Sequence, residues 1–291
     1  MNYNINYRCW LIVILFLFIS LYADAQDREK LSFRIATINI RVPTAKDSIN
    51  HWRNRKNIMI DFLKKEGFDI VCLQEASSGQ MKYIISSMTE YDCIGDSPTV
   101  VKGEEYLPIL YKKNILDCLE SGTFWLSQTP NVVGSKGWDG KHTRRATWSK
   151  FMSKLDSCVF YVVNTHLDHV GKVANEKGME VMKRRMDSIA VNYPILICGD
   201  MNCTSMSSTY FKALNYKFHM YDAYQIAKCR KGVNYSFHAF GKRKKAERRM
   251  SDFIFVTSQY DVNEINIPEE NSINGVYLAD HCPVIATINI E

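Results

Sequence analysis

At five junctions in this 291-residue chain, polar residues that can bind metal or move protons sit against apolar, strand-type runs. Ala36-Thr37-Ile38 runs into Asn39, and Val71-Cys72-Leu73 runs into Gln74-Glu75. Val162-Val163 leads to Asn164-Thr165-His166, and Leu196-Ile197-Cys198 leads to Gly199-Asp200-Met201-Asn202. Near the C-terminus, Asp280-His281 precedes a last apolar segment from Val284 to Ile290. Charged groups beside a buried strand end are costly unless they are paired or bound to metal. One such junction is an ordinary turn, whereas several together predict a shared polar site at one sheet edge. Glu75, Asp280 and the Asn39 amide are hard oxygen donors. They suit Mg2+ or Mn2+, with Ca2+ as an alternative, better than zinc. A cation and a protonated histidine can neutralise charge building on a phosphoryl group under attack, while a carboxylate orients the attacking water. The inventory is therefore a suitable one for metal-assisted hydrolysis of a phosphate ester.

The elements that must carry these residues alternate between β-type runs and helical spacing. Strands are predicted over 33–40, 68–73, 108–111, 158–164, 195–198, 253–256 and 284–290, many of them apolar at consecutive positions. That pattern suits strands buried on both faces. Met59, Phe62, Leu63 and Glu66 have helical spacing and end at Gly67, a helix stop. Met179, Met182, Met186 and Ile189 form a second stripe, read as core packing. Mixed α and β of this kind predicts one layered domain over residues 26–291.

Residues 1–25 read differently. Arg8 precedes an apolar run from Leu11 to Tyr22, and Ala23-Asp24-Ala25 offers a small-x-small cleavage site. This predicts a signal peptide, a secreted or periplasmic protein, and no membrane span once the leader is removed. The net charge of +6 suits an anionic partner, and the mature chain is expected to be a monomer. Of the nine cysteines only Cys9 lies in the leader; Cys72 and Cys198 fall inside apolar runs and read as buried thiols. The basic run from Lys242 to Arg249 lies just before Asp252 and predicts a loop at the edge of the site. Such a loop could hold nucleic-acid phosphates, meet anionic lipid, or simply be a solvated charged turn.

Six segments taken in order resemble the motif set of the endonuclease/exonuclease/phosphatase superfamily, and are closer to its deoxyribonuclease-like branch. They are Thr37-Ile38-Asn39-Ile40-Arg41, Leu73-Gln74-Glu75, Asn164-Thr165-His166-Leu167-Asp168-His169, Gly199-Asp200-Met201-Asn202, Ser251-Asp252-Phe253-Ile254-Phe255-Val256 and Asp280-His281-Cys282-Pro283-Val284. The resemblance spans essentially the whole chain after the leader. It implies a four-layer α/β sandwich, with two mixed sheets packed face to face and helices outside. It implies that Glu75 is the principal metal ligand, with Asn39 and Asp280 beside it. Asp200 would orient water, Asn202 would contact the phosphate, and His281 would be the catalytic histidine oriented by Asp252. His166 would be a second active-site histidine, with Glu105, or alternatively Glu104, as its acidic partner. Tyr111, Arg144 (or Arg145 in its stead) and Asn164 would touch the substrate. Two departures stand out: Arg41 occupies a position that is acidic in the abasic-site branch, and Ser251 replaces a usual apolar residue. The implied activity is that of a phosphodiesterase, foremost a nuclease. The alternative is a phosphatase or phospholipase acting on inositol, sugar or sphingolipid phosphates.

Overall fold

The computed structural model describes residues 32–95, 105–269 and 272–290. The expected leader and Glu104 lie outside the described residues. The first elements are β1 (Ser32–Asn39), helix α1 (Trp52–Glu66), β2 (Ile70–Gln74), helix α2 (Ser78–Ser87), β3 (Tyr91–Ile94) and β4 (Ile109–Lys112). Next come β5 (Leu116–Trp125), β6 (Arg145–Ser153), β7 (Val159–His166), helix α3 (Lys172–Ile189), β8 (Ile195–Asp200) and helix α4 (Ser208–Asn215). The last part holds β9 (Tyr221–Asp222), β10 (Cys229–Gly232), β11 (Asp252–Val256) and β12 (Tyr260–Ile267). A small hairpin, β13 (Ser272–Ile273) and β14 (Val276–Tyr277), then leads to β15 (Val284–Ile290).

Two mixed sheets form the centre. One has seven strands in the order β10-β12-β15-β1-β2-β4-β3, the other six in the order β5-β6-β7-β8-β11-β9. Trp52, Met59 and Leu63 of α1 and Met81 and Ile84 of α2 pack on Ala36, Ile38, Val71 and Leu73 of the first sheet. Met179, Met182 and Met186 of α3 pack with Tyr210 of α4 on Val163, Ile197, Phe253 and Phe255 of the second. The methionine stripe is thus core, as its spacing predicts. Helix α1 stops at Gly67, whose φ of 58° closes a left-handed cap with its N–H on the Leu63 carbonyl. Phe33 meets Phe160 at 4.8 Å between the sheets, and Tyr111 meets Phe151 at 4.9 Å. The architecture is the four-layer sandwich that the motifs imply.

The predicted strands fall on β1, β2, β4, β7, β8, β11 and β15, while β3, β5, β6 and β12 escape a periodicity reading. In β5 a bulge between Cys118 and Glu120 breaks the alternation, and in β12 the register shifts between Val262 and Glu264. A bulge moves every later side chain to the other face, so period-two patterning fails across it.

Candidate active site

Successive side chains on a strand point to opposite faces. Ala36 and Ile38 go to the helix-covered core, so Thr37 and Asn39 face the opposite sheet. By the same parity, Gln74, Asn164, His166, Asp200 and Asp252 point inward, because their neighbours Leu73, Val163, Ile197 and Phe253 pack under the helices. Strand register then aligns the ends: Asn39 pairs with Gln74, His166 with Asp200, and Asp252 with Asp200. Polar residues far apart in sequence therefore meet at one edge of the sandwich. Gly199 makes the alignment of β7 and β8 possible, since a Cβ there would sit 2.0 Å from the Thr165 carbonyl oxygen. Glu75 and Asn202 leave their strands in left-handed conformations, with φ of 58° and 46°. Such backbone costs a non-glycine residue roughly 1–3 kcal/mol and is retained where a side chain must be aimed.

One carboxylate oxygen is the hub of the cluster. Asp200 Oδ2 accepts from Asn39 Nδ2 at 3.0 Å and lies 3.5 Å from His166 Nε2 and 3.8 Å from His281 Nε2. Its other oxygen accepts from the Asn202 backbone N–H at 3.0 Å. His281 Nδ1 is 2.7 Å from Asp252 Oδ2, which also accepts from the Ser251 hydroxyl at 3.1 Å. The Ser236 hydroxyl in turn accepts from the Ser251 and Asp252 backbone N–H groups. Burial disfavours a charged His281 ring, but Asp252 and Asp200 outweigh it and raise the imidazole to about 10. Both carboxylates thus favour the charged ring, and Asp252 holds it with Nε2 directed at Asp200, 3.8 Å away.

His166 carries its own relay. Nδ1 lies 3.2 Å from Glu105 Oε2, and Arg144 Nη1 lies 2.9 Å from the same ring nitrogen and 3.2 Å from the same carboxylate. Nδ1 accepts from Arg144 when it carries no proton and donates to Glu105 when it does. Burial pushes Glu105 up, yet His166 and Arg144 bring it down to about 2. Arg145 lies apart from this relay and donates to the Glu105 backbone carbonyl at 2.8 Å.

Glu75 and Asp280 form an acidic pole beside the hub. Arg41 reaches both, 3.7 Å from Glu75 and 3.8 Å from Asp280. Burial, reinforced by Glu75, raises the Asp280 carboxyl above its ordinary range. Asp280 Oδ1 is a buried oxygen with no hydrogen-bond donor. Two carboxylates with an unsatisfied oxygen fit a hard divalent cation. The ligand atoms of Asp200, Asp252 and His281 also lie within 4.8 Å of one another. There His281 Nδ1 is engaged by Asp252 Oδ2 at 2.7 Å, while Asp252 Oδ1, like Asp280 Oδ1, is a buried oxygen with no hydrogen-bond donor. Both places could hold a cation, and the Glu75–Asp280 pole supplies the two hard carboxylates. Asn39, expected as a ligand, donates to Glu75 Oε1 at 3.1 Å and to Asp200 while its oxygen accepts from the Arg41 N–H. It bridges the two carboxylates in this arrangement.

Tyr111 and Asn164, expected to touch substrate, sit between the sheets. Tyr111 sits in mid-strand opposite Asp92 and Ile70, with its ring on Phe151 between the sheets. Asn164 is fully buried; its amide donates to the Leu73 and Pro108 carbonyls at 2.8 Å each and accepts from Gln74 at 2.7 Å. Every polar atom of Asn164 is used in joining the two sheets, which leaves none for substrate. Asn202 reaches the hub through its backbone N–H, while its amide donates to the Leu167 carbonyl at 3.0 Å. Asp168 accepts three backbone N–H bonds, from His142, Val170 and Gly171, and so ties a loop. Ser251 departs from the family pattern, yet its hydroxyl supports Asp252. No motif marks Phe237, although its ring packs 4.8 Å from His281.

A four-layer sandwich with two buried histidine–carboxylate pairs converging on one aspartate and an adjacent acidic pole belongs to a phosphoester-hydrolase architecture. A family profile described as endonuclease/exonuclease/phosphatase matches residues 32–267. The crystal structure of an endonuclease/exonuclease/phosphatase from Bacteroides vulgatus shares 37% identity and a TM-score of 0.85, covering 90% of this chain and 100% of that one. The mannosyl-6-phosphatase of Bacteroides thetaiotaomicron shares 28% identity and a TM-score of 0.79, covering 88% of this chain and 99% of that one. A protein of Acanthamoeba polyphaga mimivirus is 26% identical over 260 residues, 82% of this chain and 92% of its own. The chain belongs to the endonuclease/exonuclease/phosphatase family and is a hydrolase of phosphate esters.

Proposed function

We propose that this hydrolase is a divalent-metal-dependent phosphodiesterase acting on nucleic acid. The observation that carries the reading is the approach of two histidines to a single Asp200 oxygen, His166 at 3.5 Å and His281 at 3.8 Å. Asp200 orients a water for attack on phosphorus. The His281 imidazolium, fixed by Asp252, faces the charge that develops on the phosphoryl oxygens. His166, steadied by Glu105 and Arg144, contacts the phosphate from the other side. Water adds to phosphorus, the bond to one ester oxygen breaks, and that oxygen takes up a proton, leaving a monoester and an alcohol. Glu75 and Asp280 would hold the cation, which when bound neutralises phosphate oxygens and lowers the barrier to attack. We read residues 1–25 as a leader that exports the enzyme.

A second reading, phosphatase action on a sugar phosphate, is favoured by the 28% identity to the mannosyl-6-phosphatase. Purified protein with Mg2+ or Mn2+ tests both. The diesterase reading expects cleavage of single-stranded oligonucleotides and bis(p-nitrophenyl) phosphate, abolished by chelation. Release of inorganic phosphate from mannose 6-phosphate with no diester cleaved would transfer the assignment to the monoesterase.

A further inference from the structure

We infer that Phe237, Arg243 and Arg249 form a second subsite, which binds the nucleotide next to the scissile bond by its ring and its phosphate. The inference rests on the phosphodiesterase reading and specifies its substrate as an oligonucleotide. Phe237 makes isolated antiparallel bridges to Arg249 on one side and to His281 on the other. Directly opposed residues of antiparallel segments project from the same face. Phe237, Arg249 and His281 therefore share one face, which is the face His281 presents to Asp200.

The side chains follow that register. The Phe237 ring centroid is 4.8 Å from that of His281, the Arg243 guanidinium carbon 4.9 Å and the Arg249 guanidinium carbon 6.0 Å from the Phe237 centroid. Phe237 is half-buried and Arg249 exposed. The platform is anchored to the catalytic machinery. Phe237 N–H donates to the Arg249 carbonyl at 3.0 Å, and Cys282 N–H to the Ser236 carbonyl at 2.7 Å. Its position relative to His281 is consequently set by backbone bonds and does not depend on a flexible loop.

The Arg243 and Arg249 guanidinium groups lie over the Phe237 ring. Such ring-backed guanidinium planes suit a base or sugar ring followed by an anion, because a guanidinium stacks on a base and grips phosphate. A simple sugar monophosphate would spend its only phosphate at the His281–Asp200 hub, leaving both arginines without an anion. A chain of phosphodiesters supplies the second one. Lys242 and Lys244, both exposed, extend the positive potential along the same loop, whereas Lys245 is paired with Glu269 at 2.8 Å.

The test compares wild type with Phe237→Leu, Arg249→Gln and the Arg243→Gln/Arg249→Gln double variant. Substrates are a single-stranded tetranucleotide and bis(p-nitrophenyl) phosphate, which has no second phosphate; thermal unfolding checks each fold. The expected result is a tenfold or greater fall in the ratio of tetranucleotide to small-diester kcat/KM in the double variant. Its dependence on log salt should flatten by about one unit for each arginine lost. Phe237→Leu, which removes the ring that backs both guanidinium groups, should raise KM for the tetranucleotide about fivefold or more, the size expected for loss of one stacking contact. A ratio and salt slope unchanged within twofold would overturn the subsite, as would a wild type that cleaves only the small diester; in either case diester hydrolysis itself stands. A wild type that cleaves neither diester would overturn the phosphodiesterase reading along with the subsite.

Discussion

Asn39 and Asp200 are 161 residues apart in sequence and meet at 3.0 Å, amide nitrogen to carboxylate oxygen, across the two sheets. The same amide donates to Glu75 at 3.1 Å. One neutral side chain thus spaces Asp200, proposed to orient water, from Glu75, proposed to bind metal. Asn39→Ala removes that spacer and lets the two acids repel each other. Groups that orient metal ligands typically contribute about 10–100-fold in affinity or activity. Steady-state kinetics should show a loss of this size, with a raised Mg2+ requirement; a variant with unchanged metal dependence would contradict the role.

Asn164 is expected to behave as structure. Replacing it with Leu strips a side-chain donor from two buried carbonyls, Leu73 and Pro108, and takes from Gln74 Nε2 its shortest acceptor, leaving it Thr37 and the Cys72 carbonyl. Unpaired buried groups cost about 1–3 kcal/mol each. Chemical denaturation should therefore show a loss of several kcal/mol, while KM of the surviving folded enzyme stays within twofold. A large rise in KM at undiminished stability would restore Asn164 to the substrate site.

Lys183 gives the fold a pH dependence remote from catalysis. It is fully buried under the α3–α4 layer and donates to the Ala213 and Phe218 carbonyls at 2.8 Å and 2.7 Å. Burial lowers its ammonium from 10.5 to about 7, with only Asp187 pulling the other way. Between those values the folded protein holds a neutral amine while the unfolded chain remains protonated. Folding then releases a proton, and stability rises with pH across that window. Relative to Lys183→Met, wild type should gain on the order of 2 kcal/mol between pH 7 and pH 9. Urea unfolding of both proteins at each pH checks this, and a pH-independent difference would contradict it.

The sequence made the catalytic edge legible because strand ends are local features: Asn39, Glu75, Asp200 and His281 each follow or precede an apolar run. The pairing of His281 with Asp252 followed from family order, which for His166 offered Glu105 or Glu104; Glu105 lies 3.2 Å from the ring. Where Tyr111 and Asn164 sit was not legible, because motif position does not encode where a side chain points. Tyr111 falls in mid-strand against Phe151, and Asn164 is consumed by Gln74 and two carbonyls. Arg55 was invisible for another reason. On an exposed helix face an arginine is unremarkable, but here it is fully buried and donates to the carbonyls of Ile40, Arg41, Asn50 and Leu278. Only tertiary structure brings those four peptides together, and they fix the loops leading from Asn39 and toward Asp280.

His281, held toward its charged form by Asp252, is proposed to act beside a divalent cation on a phosphodiester. Hydrolysis of bis(p-nitrophenyl) phosphate by wild type and His281→Gln, each with Mg2+ and with excess chelator, tests it most directly. Wild-type turnover should vanish on chelation and return with Mg2+ or Mn2+, and His281→Gln should be slower by about 100- to 10,000-fold with its thermal stability retained. Turnover indifferent to chelator, or His281→Gln working at the wild-type rate, would contradict it.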